Sequence, residues 1–172
     1  MCKRLATVIL AGIVAFDKAI RAFLIQRQRP GLTRVMQNIT CLGSSVVSFP
    51  VYTLCFVFGQ DIISKIAAKA IIAESFVLAF IVILRYYTRR ERPVAQAASL
   101  WNPWNRYSFP SHHSSRIWMV AILVIYHYKH SLITMVLIAI TVSFSRIYLQ
   151  KHYFTDVLCG SIIGSCAALF LN

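Results

Sequence analysis

The chain has 172 residues, of which 58% are hydrophobic and only 13% are charged, with a mean hydropathy of +0.66. A soluble domain of this length carries about 25% charged residues. These proportions exclude an ordinary soluble enzyme, a disordered tail and a disulfide-rich secreted scaffold. They predict one domain, residues 1–172, that lies mostly within lipid.

Basic residues far outnumber acidic ones. Eighteen Lys and Arg residues stand against five Asp and Glu, so the formal net charge is +13, and twelve of the eighteen are Arg. In a membrane protein such an excess can attract anionic lipid, bind phosphate or fix the topology. The planar fork of Arg also matches phosphate oxygens in pairs. The basic residues are embedded in apolar sequence rather than gathered in a soluble module, which disfavours a nucleic-acid partner.

The first membrane span is predicted at 5–16, extending toward residue 25. From Asp17 to about Arg29 apolar residues share one helical face and basic residues lie away from it. This pattern favours an amphipathic helix on the membrane surface, with a polar loop as the alternative. Pro30 and Gly31 then break the chain.

The next two spans are predicted at 35–60, with a kink at Pro50, and at 70–84. The one charge in the second of these, Glu74, needs a partner other than lipid and is most simply structural. A polar stretch, 85–111, follows. The last three spans are 111–128, 131–149 and 154–171. The expected fold is thus an all-α membrane protein, a bundle of six transmembrane helices with an amphipathic interfacial helix after the first span.

Four span ends fall on one side of the membrane if successive spans alternate in direction. They are the end of the third span, the start of the fourth, the end of the fifth and the start of the sixth. Ionisable residues at such boundaries are functional candidates. Those gathered here are Arg85, Arg89, Arg90, Arg92, Arg106, Ser111, His112, His113, Arg116, Arg146, Lys151, His152 and Asp156.

The residue types in this group are those that phosphoryl transfer needs. His152 and Asp156 share a helix face, and a carboxylate beside an imidazole makes His152 a candidate nucleophile or base. His113 lies in an opening helical turn, whose free N–H groups favour an anion, and several Arg can converge on the same point. A zinc site is the alternative, although the excess of Arg disfavours a second cation; its ligands would be His112, His113, His152 and Asp156.

Three motifs give the chain a family resemblance. The first is Arg85, six residues and Arg92-Pro93; the second is Pro110-Ser111-His112-His113; the third is Ser145-Arg146, five residues, His152, three residues and Asp156. In this order and spacing they resemble the motifs of the type 2 phosphatidic acid phosphatase family, which comprises integral-membrane lipid phosphatases. Two positions depart from the family pattern: Arg85 replaces Lys, and His112 replaces Gly.

The resemblance implies a role for each site residue. His152 would attack phosphorus to give a phosphohistidine, Asp156 would orient His152, and His113 would protonate the leaving oxygen. The phosphate oxygens would be bound by Arg85, Arg92, Arg146, Ser111 and the backbone at His112. The resemblance implies no metal or other cofactor, and no protein partner is predicted.

The resemblance also bounds the substrate to a phosphorylated membrane lipid. The basic face and the small size favour lipid A 1-phosphate; undecaprenyl pyrophosphate, phosphatidylglycerol phosphate and lipid-to-lipid phosphotransfer are the alternatives. Thirteen basic residues fall on the active face and five on the other, which by the positive-inside rule would put the site in the cytoplasm. Because part of this excess is catalytic and bacterial relatives open outward, we expect a bacterial inner-membrane protein with a periplasmic site.

Overall fold

The computed structural model describes residues 2–95 and 103–171. Regular structure in these two ranges is helical, apart from one isolated antiparallel bridge between Glu91 and Tyr107. The longer helices are α1 (Cys2–Ile25), α2 (Pro30–Thr40), α3 (Ser45–Phe58), α4 (Asp61–Thr88), α5 (His112–His127), α6 (Leu132–Tyr148) and α7 (Phe154–Leu171). Part of the predicted polar stretch, 96–102, lies outside the described residues.

The first helix has the longer of its two predicted extents and ends at residue 25. α1 runs without interruption from Cys2 to Ile25, so residues 17–25 continue the first helix instead of beginning a separate one. The physical reason lies at Asp17, which is only 1% exposed and is hydrogen-bonded to α7. The break falls at 26–29, and Pro30 begins α2, where its fixed φ and missing N–H are tolerated.

The predicted second span is two helices rather than one. The segment Pro30–Gly43 is bent by 44° relative to Ser45–Phe58. The bend lies at a 3-10 turn, Cys41–Gly43, and α3 continues through Pro50, where the sequence had placed the kink. At Gly43 an added Cβ would lie 3.2 Å from the Cβ of His113, so the bend brings this backbone against the start of α5.

The helices α4, α5 and α7 form the centre of the molecule. A buried apolar cluster joins α3, α4, α5 and α7; its members are Tyr52, Ala70, Ala73, Met119, Leu123 and Ala168. α5 and α7 approach so closely that a Cβ at Gly160 would lie 2.3 Å from the carbonyl oxygen of Ser111, and one at Gly164 would lie 1.9 Å from that of Ser115. The Gly160-x3-Gly164 motif therefore sets backbone-to-backbone contact between these helices.

Three described helical segments are long and apolar enough to cross a membrane, and a fourth is added if the bent pair around Gly43 counts as one span. The three are Asp61–Thr88, Lys129–Tyr148 and Phe154–Leu171. Their outer faces carry exposed large apolar side chains such as Phe76, Ile83, Ile133 and Phe170. Exposure of so much apolar surface is unfavourable in water and favourable in lipid. The chain is an all-α integral membrane protein.

Candidate active site

Four helix ends that are distant in sequence meet at one end of the bundle. In the last turn of α4, Arg85 Nη2 donates to the carbonyl oxygen of Pro110 at 3.1 Å. At the start of α5, the backbone N–H of Ser111 donates to the carbonyl oxygen of Asp156 at 3.0 Å. The carbonyl oxygen of Arg146, at the end of α6, accepts from the backbone N–H groups of Lys151 and His152. Residues that the sequence placed at four separate span ends thus lie in one region; they include Arg85, Ser111, Arg146, His152 and Asp156.

The turn between α6 and α7 presents His152. The chain reverses through Gln150, whose φ of 56° lies in the left-handed region. Such a conformation is costly for a residue other than Gly and persists only where its surroundings hold it. Here Arg21 Nε donates to Gln150 Oε1 at 3.1 Å and Gln150 Nε2 donates to the carbonyl oxygen of Ile147 at 3.2 Å.

The imidazole of His152 is 2% exposed and has a defined hydrogen-bond partner on each nitrogen. Nδ1 lies 2.7 Å from the carbonyl oxygen of Ser108, and Nε2 lies 3.3 Å from Arg92 Nη1. Because a carbonyl only accepts, Nδ1 carries the proton and Nε2 keeps its lone pair. The ring is therefore held in the tautomer in which Nε2 is the nucleophilic atom.

Asp156 lies farther from His152 than a direct hydrogen bond requires. Asp156 Oδ2 is 3.8 Å from Nδ1, whereas the Ser108 carbonyl holds that nitrogen. The carboxylate is 0% exposed and instead accepts from the Tyr153 N–H at 2.9 Å and from Arg90 Nη1 at 2.7 Å. The orienting contact that the sequence assigned to Asp156 is thus made by a backbone carbonyl, with the carboxylate behind it.

The surroundings keep His152 neutral. Burial lowers the pKa of this histidine well below its usual range, and the charges of Arg92, Arg146 and Arg85 lower it further, while the hydrogen bond with Ser108 opposes them. All three arginines therefore act electrostatically on the ring. A neutral imidazole is the form that can attack phosphorus.

The three arginines are buried but differ in how their donors are used. Arg92, 7% exposed, donates to the carbonyl oxygens of Asn105 and Lys151 and to Asn105 Oδ1. Burial lowers the pKa of Arg92 to about 10, and Asp156 opposes that shift, so Arg92 remains a cation at neutral pH. Arg85 and Arg146 each keep a buried Nε–H without a hydrogen-bond partner. Buried donors without a partner are rare. These two N–H groups therefore indicate that an anion binds between the arginines.

The start of α5 supplies the remaining residues of the site. Ser111 is its N-cap, is 0% exposed and accepts from the Ser114 hydroxyl at 3.0 Å. His112 and His113 occupy the first two helical positions, where backbone N–H groups have no partner within the helix. His113 packs against Gly43, whereas the His112 imidazole turns elsewhere.

His112 reaches a buried ion pair rather than the centre of the arginine group. Its Nε2 lies 3.7 Å from Glu74 Oε1 and 3.5 Å from Arg116 Nη2. Glu74 and Arg116 are each 1% exposed and form a salt bridge between α4 and α5, with Arg116 Nε 2.6 Å from Glu74 Oε1. The charge predicted to need a partner in the third span therefore has one, and its role is structural.

Sequence reasoning missed three contributors to this site: Asp17, Ser108 and Asn105. Asp17 was assigned to a surface helix, and the other two act through contacts that no residue pattern reports. The sequence signal that could have identified Asp17 was the presence of an acidic residue directly after an apolar run, where it needs a partner other than lipid. Among the residues that the structure describes, no group of three or more His, Cys, Asp or Glu is arranged to hold a metal ion; the four residues of the zinc alternative do not converge.

Two solved structures of similar size are similar to this chain in fold. One is the first transmembrane PAP2-type phosphatidylglycerolphosphate phosphatase from Bacillus subtilis, with a TM-score of 0.77, 24% identity, and coverage of 93% of this chain and 84% of that one. The other is LpxE from Aquifex aeolicus, with a TM-score of 0.74, 22% identity, and coverage of 92% and 93%. At these identities the two structures establish a common fold.

The family model described as the PAP2 superfamily matches residues 2–172, which is nearly the whole chain. The match includes all four helix ends described above, with their arginines and histidines. The chain therefore belongs to the PAP2 superfamily and is a membrane lipid phosphatase.

Proposed function

We propose that this lipid phosphatase hydrolyses a phosphate monoester, or the terminal phosphate of a pyrophosphate, on a membrane lipid, without a metal and through a phosphohistidine on His152. The observation that carries the proposal is the state of His152. It is buried, its Nδ1 lies 2.7 Å from the Ser108 carbonyl and so carries the ring proton, and burial together with three nearby arginines lowers its pKa well below the usual range. Such a group combines an unprotonated nucleophile with donors for a tetrahedral anion.

The first half of the reaction transfers the phosphoryl group to the enzyme. Nε2 of His152 attacks phosphorus, and the bond between phosphorus and the lipid oxygen breaks in line with the attack. His113, which takes up a proton when the anionic phosphate binds beside it, gives that proton to the departing oxygen, so the lipid leaves as an alcohol or as the shorter phosphate. Arg85, Arg92 and Arg146 bind the three equatorial oxygens as charge moves onto them, assisted by Ser111 and the backbone N–H at His112.

The second half regenerates the enzyme. Water attacks the phosphorus of the phosphohistidine, the bond from phosphorus to Nε2 breaks, and inorganic phosphate leaves. His113, deprotonated in the first half, accepts the proton of the attacking water. Asp156 faces the Nδ1 side of His152, at 3.8 Å, where its charge supports the positive imidazole of the intermediate.

Lipid A 1-phosphate is the proposed substrate. A groove of about 380 Å³ at the start of α2 lies next to Tyr148, two residues beyond Arg146; it is lined by Gln28, Arg29, Pro30, Thr33, Arg34 and Gln37. Its arginines suit a large headgroup that carries more than one anionic group. The structural relatives fit this choice and its alternatives alike, since one of them is a phosphatidylglycerolphosphate phosphatase.

The proposal includes the arrangement in the membrane. We place the single domain, residues 1–172, in a bacterial inner membrane as six spans, with the site at the periplasmic surface. The basic, amphipathic residues near the end of α1 and the start of α2 would lie in the interface. The arginines of the site are left out when basic residues are counted for the positive-inside rule, because phosphate binding explains their positions.

A panel of phosphorylated lipids in detergent, with EDTA present, tests the function. The panel contains lipid A, undecaprenyl pyrophosphate, phosphatidylglycerol phosphate and phosphatidic acid. We expect phosphate release to be fastest from lipid A, to continue in EDTA and to be inhibited by vanadate, which adopts the five-coordinate geometry of the transition state. Inhibition by EDTA that zinc reverses would overturn the metal-independent mechanism.

Two further outcomes decide the finer points. Faster release from an isoprenyl pyrophosphate or from phosphatidylglycerol phosphate would replace lipid A as the substrate but keep the chemistry. A newly phosphorylated lipid in place of free phosphate would indicate transfer from His152 to a second lipid. His152→Ala should lower turnover by about a thousandfold or more, because phosphorus loses its attacking group; activity near that of the wild type would refute the assignment.

A further inference from the structure

Two of the buried acids converge on one arginine beside the catalytic turn. The chain has five acidic residues, and three of them, Asp17, Glu74 and Asp156, are at most 1% exposed. Glu74 pairs with Arg116. Asp17 and Asp156 lie on α1 and α7, yet both form salt bridges with Arg90. Burying a second carboxylate here costs desolvation free energy, which indicates that this carboxylate has a function.

Asp17 is fully satisfied in this position. Its Oδ1 accepts from the Thr155 N–H at 3.1 Å, and its Oδ2 accepts from the Thr155 hydroxyl and from Arg90 Nη2, both at 2.5 Å. Thr155 is the residue directly before Asp156. The contacts therefore tie the middle of α1 to the first turn of α7, beside the Asp156 carboxylate.

Arg90 contacts both groups that face His152 Nδ1. Through Nη1 it donates to Asp156 Oδ1 at 2.7 Å and to the Thr155 hydroxyl at 2.8 Å. Through its own carbonyl oxygen it accepts from the Ser108 N–H at 2.8 Å. The guanidinium also lies over the Tyr153 ring, 4.4 Å from its centroid. Both groups that face Nδ1, the Ser108 carbonyl and the Asp156 carboxylate, are thus held by one residue.

The charges explain why Arg90 needs two carboxylates. An arginine paired with Asp156 alone would neutralise the carboxylate that supports the positive imidazole of the intermediate. With Asp17 as its second partner, the group of Arg90, Asp17 and Asp156 keeps one net negative charge. That charge faces a histidine surrounded by Arg92, Arg146 and Arg85, where a single negative charge has a large effect because the site is dry.

We propose that Asp17 and Arg90 are positioning residues of this phosphatase: Arg90 fixes Ser108 and Asp156 behind His152, and Asp17 balances Arg90 so that Asp156 keeps its negative charge during attack. The inference rests on the proposed role of His152. Neither residue touches the phosphate in this scheme, so both act through their effect on the imidazole.

The experiment compares kcat with KM in Asp17→Asn, using the full chain in detergent and the panel lipid that the wild type hydrolyses fastest. We expect kcat to fall about tenfold, because the imidazolium loses one unit of nearby negative charge, while KM stays within about twofold. Asp61→Asn is the matched control. Asp61 is exposed at the start of α4, the end away from the site, so the same change of charge should leave kcat unaltered.

A double variant separates positioning from general destabilisation. If Asp17 acts through Arg90, Asp17→Asn should lower kcat much less in an Arg90→Gln background than in the wild type. Thr155→Val, which removes the hydroxyl between Arg90 and Asp17 without changing charge, serves if Asp17→Asn fails to fold; a drop in kcat of about threefold is expected.

Three results would overturn the inference. They are an unchanged kcat in folded Asp17→Asn or Thr155→Val, a loss expressed in KM alone, and fully additive effects with Arg90→Gln. Failure of the proposed function looks different: His152→Ala would keep its activity, or no lipid of the panel would release phosphate. An inactive His152→Ala beside a fully active Asp17→Asn would leave the proposed function standing and remove only the roles of Asp17 and Arg90.

Discussion

At the scale of single residues, the site depends on a histidine that the protein keeps uncharged. Its two nitrogens are distinguished by a carbonyl on one side and a guanidinium on the other. A cation on the ring before attack would meet three arginines, so the proton is driven off Nε2. The same arginines then become useful, because the attacking group brings an anion to them.

We expect His152 to stay neutral over the physiological pH range. Burial and the three arginines lower the pKa of His152 well below the usual histidine value of about 6.5, so the ring should show no titration midpoint at or above that value. The measurement is the pH dependence of histidine ¹⁵N shifts in detergent, with the His152 signal identified by its absence from His152→Gln. A midpoint at or above the usual value would contradict the environment described here.

The sequence predicted which polar residues lie at this end of the bundle better than it predicted their contacts. Arg85, Arg146 and His152 could be placed together because apolar spans fix which helix ends share a membrane surface. The Ser108 carbonyl on His152 could not be predicted, since any residue type offers the same carbonyl. Arg90 was assigned to the correct end, but its turn toward Asp17 depends on how α1 packs, which local patterns do not contain.

At the scale of helices, the site depends on the contact between α5 and α7. Gly160 and Gly164 let the α7 backbone lie directly on the carbonyls of Ser111 and Ser115. The first of these serines caps the helix that carries His113. Packing in the lipid and geometry in the site are therefore set by the same contact.

Gly164→Ala should separate these two helices. Its added Cβ would lie 1.9 Å from a carbonyl oxygen, and backbone cannot yield as a side chain tip can, so we expect a loss of roughly 1–3 kcal/mol in stability and a lower kcat. Thermal unfolding in detergent measures the first effect. Gly12→Ala is the control, since an added Cβ there meets nothing within 4 Å; equal behaviour of the two variants would contradict the packing.

The sequence predicted helices well where apolar runs end at charged or polar residues. The last helix was predicted at the residues where it lies, and α5 and α6 within one residue at each end. The sequence predicted the first sixty residues less accurately, although helices lie in both predicted segments. There a charge inside α1 looked like the start of a surface helix, and the bend lies at Gly43, which packs against His113, rather than at Pro50.

At the scale of the whole molecule, the basic residues form two sets at opposite ends of the bundle. Lys65 and Lys129 lie at the end of the bundle opposite His152, while most basic residues lie at the same end as the site. Loops that stay in the cytoplasm are enriched in Lys and Arg. Arg85, Arg92 and Arg146 do not report on topology in this way, because they belong to the proposed phosphate site. The two sets of charges have different causes and should not be summed.

Labelling of single cysteines tests the orientation. We expect an impermeant maleimide to label Tyr87→Cys but not His130→Cys in intact cells, in a background whose native cysteines are replaced by Ser. Tyr87 is 87% exposed at the end of α4 near the site, and His130 is exposed at the other end of the bundle. The reverse pattern would place the site in the cytoplasm, and lysed cells should show labelling of both.

The unpaired Nε–H groups of Arg85 and Arg146 have a consequence for how the enzyme behaves as its reaction proceeds. A donor that lacks an acceptor inside the protein favours whichever oxyanion reaches it first. The released inorganic phosphate is such an ion, and nothing in its shape distinguishes it from the group that was cleaved. Accumulating product should therefore compete with fresh lipid, so that initial rates in phosphate-free buffer exceed those measured late in a reaction or in phosphate-containing medium.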